Sequence, residues 1–357
     1  MTGGSSVGDM PGKLEDLFGI DVPIVLGPFG GLSSIELTAA VSELGGIGSY
    51  GLYGYSADRI SDTIAALRSM TSRPFAVNLW LPTGDEVTPG EIDLAAATDA
   101  VGPLFDELSL PRPTPPIEFL PDIDSQVTAV MEAEPAVLSV VYGVPSERVV
   151  AAAHSRGIRI VGTATTVAEA VALEEAGADA VVASGAEAAG HRVSFLRRPE
   201  DSLVGTFVLV PQVVDAVGIP VIAAGGIADR RGVAAALALG AAGVQVGTAF
   251  LRTRQSAATA AHRRAITEAA DTGTVLTRAM SGRLARGIPN RAMREIETAG
   301  IIAPFPAQNW LTGQFRAEAG RRGDGDLVSL WAGQASALAT REDASDVFAE
   351  LAAGLPR

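Results

Sequence analysis

The chain has 357 residues, 47% of them hydrophobic and 19% charged, with 40 Gly and 21 Pro, enough for one large single-core domain or two ordinary ones. Its 27 Lys and Arg stand against 41 Asp and Glu, a net charge of -14, so the surface repels phosphate backbones and anionic lipid, which disfavours nucleic-acid and membrane-surface roles. Cysteine is absent, which removes disulfides, thiolate nucleophiles, iron–sulfur clusters and cysteine-bound zinc together.

Residues 1–12 are rich in Gly and Ser and have neither a basic nor an apolar signal region, so they read as a short disordered lead. The longest apolar stretch, 219–227, is far below the roughly 20 residues that span a bilayer, and a cytoplasmic protein is expected. From residue 13 onward, short apolar runs bounded by Gly or Pro alternate with stretches of helical spacing. The runs are 23–27, 46–50, 75–79, 137–142, 158–162, 180–184, 220–224 and 243–247, and helical patterns fall at 35–44, 57–70, 146–155, 166–176 and 229–239. Gly45, Gly157, Gly177 and Gly240 each stand just past an amphipathic run, where a left-handed cap is wanted. The last run, GVQVG, is as apolar on both faces as the first, so the pattern predicts an α/β fold, a (β/α)8 TIM barrel, over 13–357. Segments 81–121 and 254–357 break the rhythm and are expected to form a small, mainly helical lobe over the barrel mouth.

In such a barrel the reactive groups sit at the carboxyl ends of the strands. Those positions hold Gly27-Pro28-Phe29, Asn78, Ser184, Gly225-Gly226 and Gly247-Thr248. Glycine at the ends of strands seven and eight lets backbone N–H groups approach a phosphate, and a helix starting at Asp229 would aim its positive end at the same place. His191 is the one of three histidines placed in a strand-end loop, where its imidazole can take a proton from a carbon acid or, when protonated, hold a developing anion. Glu187 in that loop could be a general base or a solvated charge, and with no partner carboxylate it reads as the latter. With three dispersed histidines and no HxH or HExxH spacing no metal site is expected, and without a GxSxG elbow no triad hydrolysis.

The strings PIVLGPFGG, PFAVNL, GTATTVAEAVALEEAGADAVVASGAEAAGHR and IPVIAAGGIADRRGVAAALALGAAGVQVGTAFL, with SGRLARGIPN and FPAQNWLTGQFRAEAG farther on, closely resemble the nitronate monooxygenase family, formerly called 2-nitropropane dioxygenases. The resemblance implies a barrel holding non-covalent FMN, its phosphate on Gly225 and Gly226 and on the Gln245-Val246-Gly247-Thr248 turn. It places the flavin ring over Gly27, Pro28 and Phe29 with Asn78 at its polar edge, and it makes His191 the catalytic residue. The implied reaction is oxidation of an alkyl nitronate by O2, through electron transfer to the flavin, to a carbonyl compound and nitrite. Two positions beside the expected cofactor depart from the family pattern: Ser184 stands where Gln is usual, and Ala189-Gly190 replaces a double glycine. An FMN-dependent NAD(P)H reductase of enoyl thioesters or quinones shares the same motifs and histidine, and a barrel that only binds a phosphorylated ligand is a third reading.

Overall fold

The computed structural model describes residues 13–356, so the expected N-terminal lead lies outside the described residues. Eight parallel strands, Ile24–Leu26, Gly48–Gly51, Phe75–Trp80, Val137–Val141, Arg159–Ala164, Ala180–Ser184, Val221–Ala224 and Gly243–Val246, fall on the eight apolar runs of the sequence. From the second strand to the eighth, each pairs with its successor. The eighth then pairs with the first in the register Ile24↔Val244, and a bridge between Val25 and Ile47 closes the ring, giving a (β/α)8 TIM barrel.

The pleat sorts side chains by parity. Val25, Ala76, Val161, Val182 and Ile222 point inward and share one cluster with Leu14 and Phe18, whose short helix Leu14–Phe18 plugs the amino-terminal end. Their neighbours Ile24, Leu26, Val77, Leu79, Val181, Val221, Val244 and Val246 face outward into the layer between strands and helices. The ring helices begin at side-chain caps: Ser34, Ser56, Ser146, Thr166 and Asp229 each accept from a first-turn backbone N–H. Thr206–Ala216 has no such signature, because a Thr/Val-rich run with Pro211 inside it reads locally as a strand.

The insertion and the C-terminal part meet in a separate apolar cluster. Leu94, Val101, Leu104 and Phe105 pack on Met293, Ile296, Leu311 and Phe315, with the rings of Phe105 and Phe315 edge-to-face at 5.6 Å. Buried Arg283 pins the two segments: its Nη2 lies 2.7 Å from Asp85 and 2.6 Å from Glu86, and its guanidinium covers the rings of Phe305 and Tyr142. One part of 254–357 has another role than the expected lobe. Ala344–Ala352 packs Val347, Phe348 and Leu351 into the barrel layer beside Ile35–Glu43 and Arg230–Ala238, and so completes the helical ring. Among the described residues no helix is long and apolar enough to cross a membrane.

Candidate active site

The carboxyl ends of the strands surround a cavity of about 390 Å³. All the residues singled out in the sequence line it except Val246. That exception follows from parity, since Gln245 and Gly247 face inward while Val246 between them is 1% exposed in the outer layer. Its carbonyl oxygen still serves the site by accepting from Gly27 N–H at 2.8 Å. A Cβ on Gly27 would stand 3.2 Å from Gly247 Cα, so the loops after the first and last strands touch backbone to backbone and hold Phe29 over the floor.

Gly225 and Gly226 sit at φ 105° and 72°, a region that L side chains avoid. Among the described residues none accepts from the backbone N–H groups of Gly225, Gly226, Gly247 or Thr248. Four unpartnered amides at the ends of adjacent strands form a concave donor set suited to an anion. The helix Arg230–Ala238 adds less than expected, because the Asp229 carboxylate already accepts from Arg231 N–H at 2.9 Å and Gly232 N–H at 3.3 Å. Across the cavity Asn78 donates through Nδ2 to Ser139 Oγ, 2.8 Å away on the paired strand, which leaves Oδ1 able to accept from a ligand.

The loop after the sixth strand is held from both sides. Arg192, 2% exposed, donates to the Gly185 carbonyl at 2.6 Å and the Ser184 carbonyl at 3.1 Å. Glu187 is not the solvated charge expected: it accepts from Thr206 N–H at 2.9 Å and Thr206 Oγ–H at 2.8 Å, and so caps the helix Thr206–Ala216. Ser184 and Ala189 both reach the cavity wall, and Gly190 takes φ 70° before the chain pairs with a small antiparallel sheet through His191↔Ala285.

His191 therefore stands on a fixed backbone. Its Nε2 lies 2.8 Å from Ser281 Oγ, and its ring sits 4.9 Å from Trp80 and 5.4 Å from Trp331. Burial above all, then the guanidinium charges of Arg283 and Arg316, lower its pKa to about 3, so the imidazole is neutral near pH 7. The Ser281 hydroxyl proton reaches the Arg283 carbonyl at 3.1 Å, an arrangement that puts the imidazole proton on Nε2 and leaves Nδ1 basic.

Several lining residues were not singled out in the sequence: Tyr53, Trp80, Phe305, Asn309, Arg316 and Trp331. Trp80 had a signal, being two residues beyond Asn78 on the same strand face. The last four come from the C-terminal part; Phe305, Asn309 and Arg316 lie in the family string FPAQNWLTGQFRAEAG, but their arrival at the cavity depends on long-range packing.

A family model described as nitronate monooxygenase matches residues 12–354. A probable nitronate monooxygenase of Staphylococcus aureus is 40% identical over 342 residues, covering 95% of this chain and 96% of its own. Among solved structures, that of a nitroalkane oxidase from Streptomyces ansochromogenes is similar with TM-score 0.83 at 36% identity, covering 95% of this chain and 96% of the other. FabK from Thermotoga maritima follows with TM-score 0.74 at 30% identity, covering 95% and 94%.

Proposed function

The chain belongs to the nitronate monooxygenase family and is an oxidoreductase, and on that premise we propose that it binds FMN in the cavity and oxidises alkyl nitronates with O2 to a carbonyl compound and nitrite. The observation that carries this reading is the donor set of four free backbone amides facing a neutral histidine across one cavity. The residues present fit the cofactor. The amides of Gly225, Gly226, Gly247 and Thr248 would hold a single terminal phosphate, Gly27, Pro28 and Phe29 would lie against the ring, and Asn78 Oδ1 and the Gln245 side chain would meet its polar edge. When bound, FMN supplies the electron acceptor that a nitronate needs and the path of those electrons to oxygen.

This chain's own residues prepare the substrate. Nδ1 of His191 takes the α-proton of a neutral nitroalkane and, toward a preformed nitronate, presents an uncharged polar edge. Trp80, Tyr53 and Phe305 stack against one another, with ring centroids 4.3 Å and 6.0 Å from Trp80, and keep water from that side of the cavity. The test is chromatography of the cofactor released from purified, denatured protein, together with nitrite release from an alkyl nitronate in air. FMN and nitrite are expected, and FAD, no flavin, or FMN without nitrite overturns the reading. The second reading is reduction of an enoyl thioester or quinone by NAD(P)H on the same barrel motifs and histidine; no GxGxxG follows a strand in this sequence.

A further inference from the structure

The cavity contains one guanidinium among its lining residues, Arg316, carried by the lobe helix Ala307–Arg322. Every partner of that group is neutral. Nη1 donates to Ser329 Oγ at 2.8 Å, and Nη2 donates to the Asn309 backbone oxygen at 3.0 Å and to its Oδ1 at 2.7 Å, while Nε has no partner. Among the described residues no carboxylate pairs with it. The other guanidinium near His191, Arg283, is matched by Asp85 and Glu86, and the one carboxylate on the cavity wall, Glu187, is spent on Thr206. Burial lowers the pKa of Arg316 to about 10, which still leaves it charged at neutral pH. A desolvated cation without a counter-ion is costly to keep unless an anion visits it.

The neighbouring groups point the same way. Asn309 Nδ2 donates to Tyr53 Oη at 3.0 Å, so the phenol's own proton is left for another acceptor. Burial, above all, pushes the Tyr53 pKa up to about 12, and it stays a donor. Tyr53 and Arg316 thus flank Asn309 on the cavity wall, the phenol O–H and the guanidinium Nε–H both without an acceptor among the described residues. Tyr53 packs on Trp80 at the ends of strands two and three, and Arg316 joins it through Asn309, whereas the free amides are at the ends of strands seven and eight. One cavity therefore offers two separate places for negative charge, and the phosphate fills only one.

We propose that Arg316, helped by Tyr53, holds the two oxygens of the substrate's anionic nitro group and selects the nitronate over the neutral nitroalkane. With Nη1 on Ser329 and Nη2 on Asn309, the guanidinium meets one anion oxygen through its charge and its uncommitted Nε–H, and the Tyr53 hydroxyl donates to the other. The inference rests on the functional reading above, so its test includes an inert anion. In FMN-loaded protein, Arg316→Gln raises KM for a nitronate about 10- to 100-fold, the range of a hydrogen bond to a charged group, and raises the KM of the neutral nitroalkane far less. Arg316→Lys recovers most of that loss, and Tyr53→Phe, which deletes only a hydroxyl, raises KM a few-fold. Nitrate, a planar anion that is not turned over, loses affinity for Arg316→Gln by a similar factor when titrated against the bound flavin's absorbance. Unchanged nitronate KM and nitrate affinity overturn the proposal, as does loss of FMN from Arg316→Gln and Arg316→Lys alike, which would assign the guanidinium to the cofactor. If nitrate binding depends on Arg316 while the unmodified protein releases no nitrite from nitronates, the anion anchor stands and the proposed reaction falls.

Discussion

Replacing His191 by Asn removes the imidazole but leaves a polar side chain within reach of Ser281. Burial and the charges of Arg283 and Arg316 lower the pKa of His191 to about 3, so the imidazole is neutral near pH 7. At rest it is a base, not a cation. Taking a proton from a neutral nitroalkane leaves an imidazolium beside the nitronate just formed, and that new anion offsets the burial and the charges of Arg283 and Arg316 that disfavour the imidazolium at rest. A positioned base contributes about a hundred- to ten-thousand-fold, so nitroalkane turnover falls by that factor in the variant. A preformed nitronate has no such proton to lose, and its turnover falls by less than about tenfold. The flavin content stays normal, because the free amides lie on other strands. The assay is nitrite release from a nitroalkane and from its preformed nitronate, side by side, with FMN quantified in each preparation. Equal losses on both substrates would give His191 a charge-stabilising role, and undiminished activity on both would refute any catalytic part for it.

Substitutions at two further positions test the frame of the site. A Cβ on Gly226 would come no closer than 3.6 Å to Glu187, so Gly226→Ala costs only the left-handed backbone, about 1–2 kcal/mol, and retains FMN; Gly226→Val, whose branches reach over the amides, keeps a folded circular-dichroism spectrum and loses the flavin, and normal flavin content there would move the phosphate elsewhere. Arg283→Ala strips the counter-charge from Asp85 and Glu86 and costs about 3 kcal/mol in denaturant unfolding. Burial raises the pKa values of those two carboxyls, but hydrogen bonds from Thr83 and Arg283 outweigh it and hold both below the ordinary range. Their contribution is therefore present above about pH 4 and lost as pH falls through the lower folded values. The variant shows a flatter loss of stability in acid, and identical acid profiles in the two proteins would contradict this.

The eight strands were legible because a parallel barrel buries both faces of each strand, which leaves continuous apolar runs ending in Gly or Pro. The site positions on those strands were legible for the same reason: the ends of runs are the mouth of the barrel. Val246 misled because it was carried along within a four-residue motif, although the alternation of Gln245, Val246 and Gly247 already turns the middle residue toward the helices. Glu187 misled differently. Its partner Thr206 is 19 residues away and begins a helix that its own Val-rich sequence hides. Arg316 lay within a family string but Arg316 and Trp331 could not be placed at the cavity, since the insertion and the C-terminal segment come together only through a shared apolar cluster between residues such as Phe105 and Phe315.

On this reading a nitronate, and not a nicotinamide, is the electron donor to the bound flavin. Anaerobic mixing of the FMN-loaded protein with an alkyl nitronate, and separately with NADH and NADPH, while following visible flavin absorbance, separates the two donors. Bleaching by the nitronate at a rate matching turnover, with neither NADH nor NADPH acting, is the predicted result; rapid bleaching by either nicotinamide and none by the nitronate would contradict it.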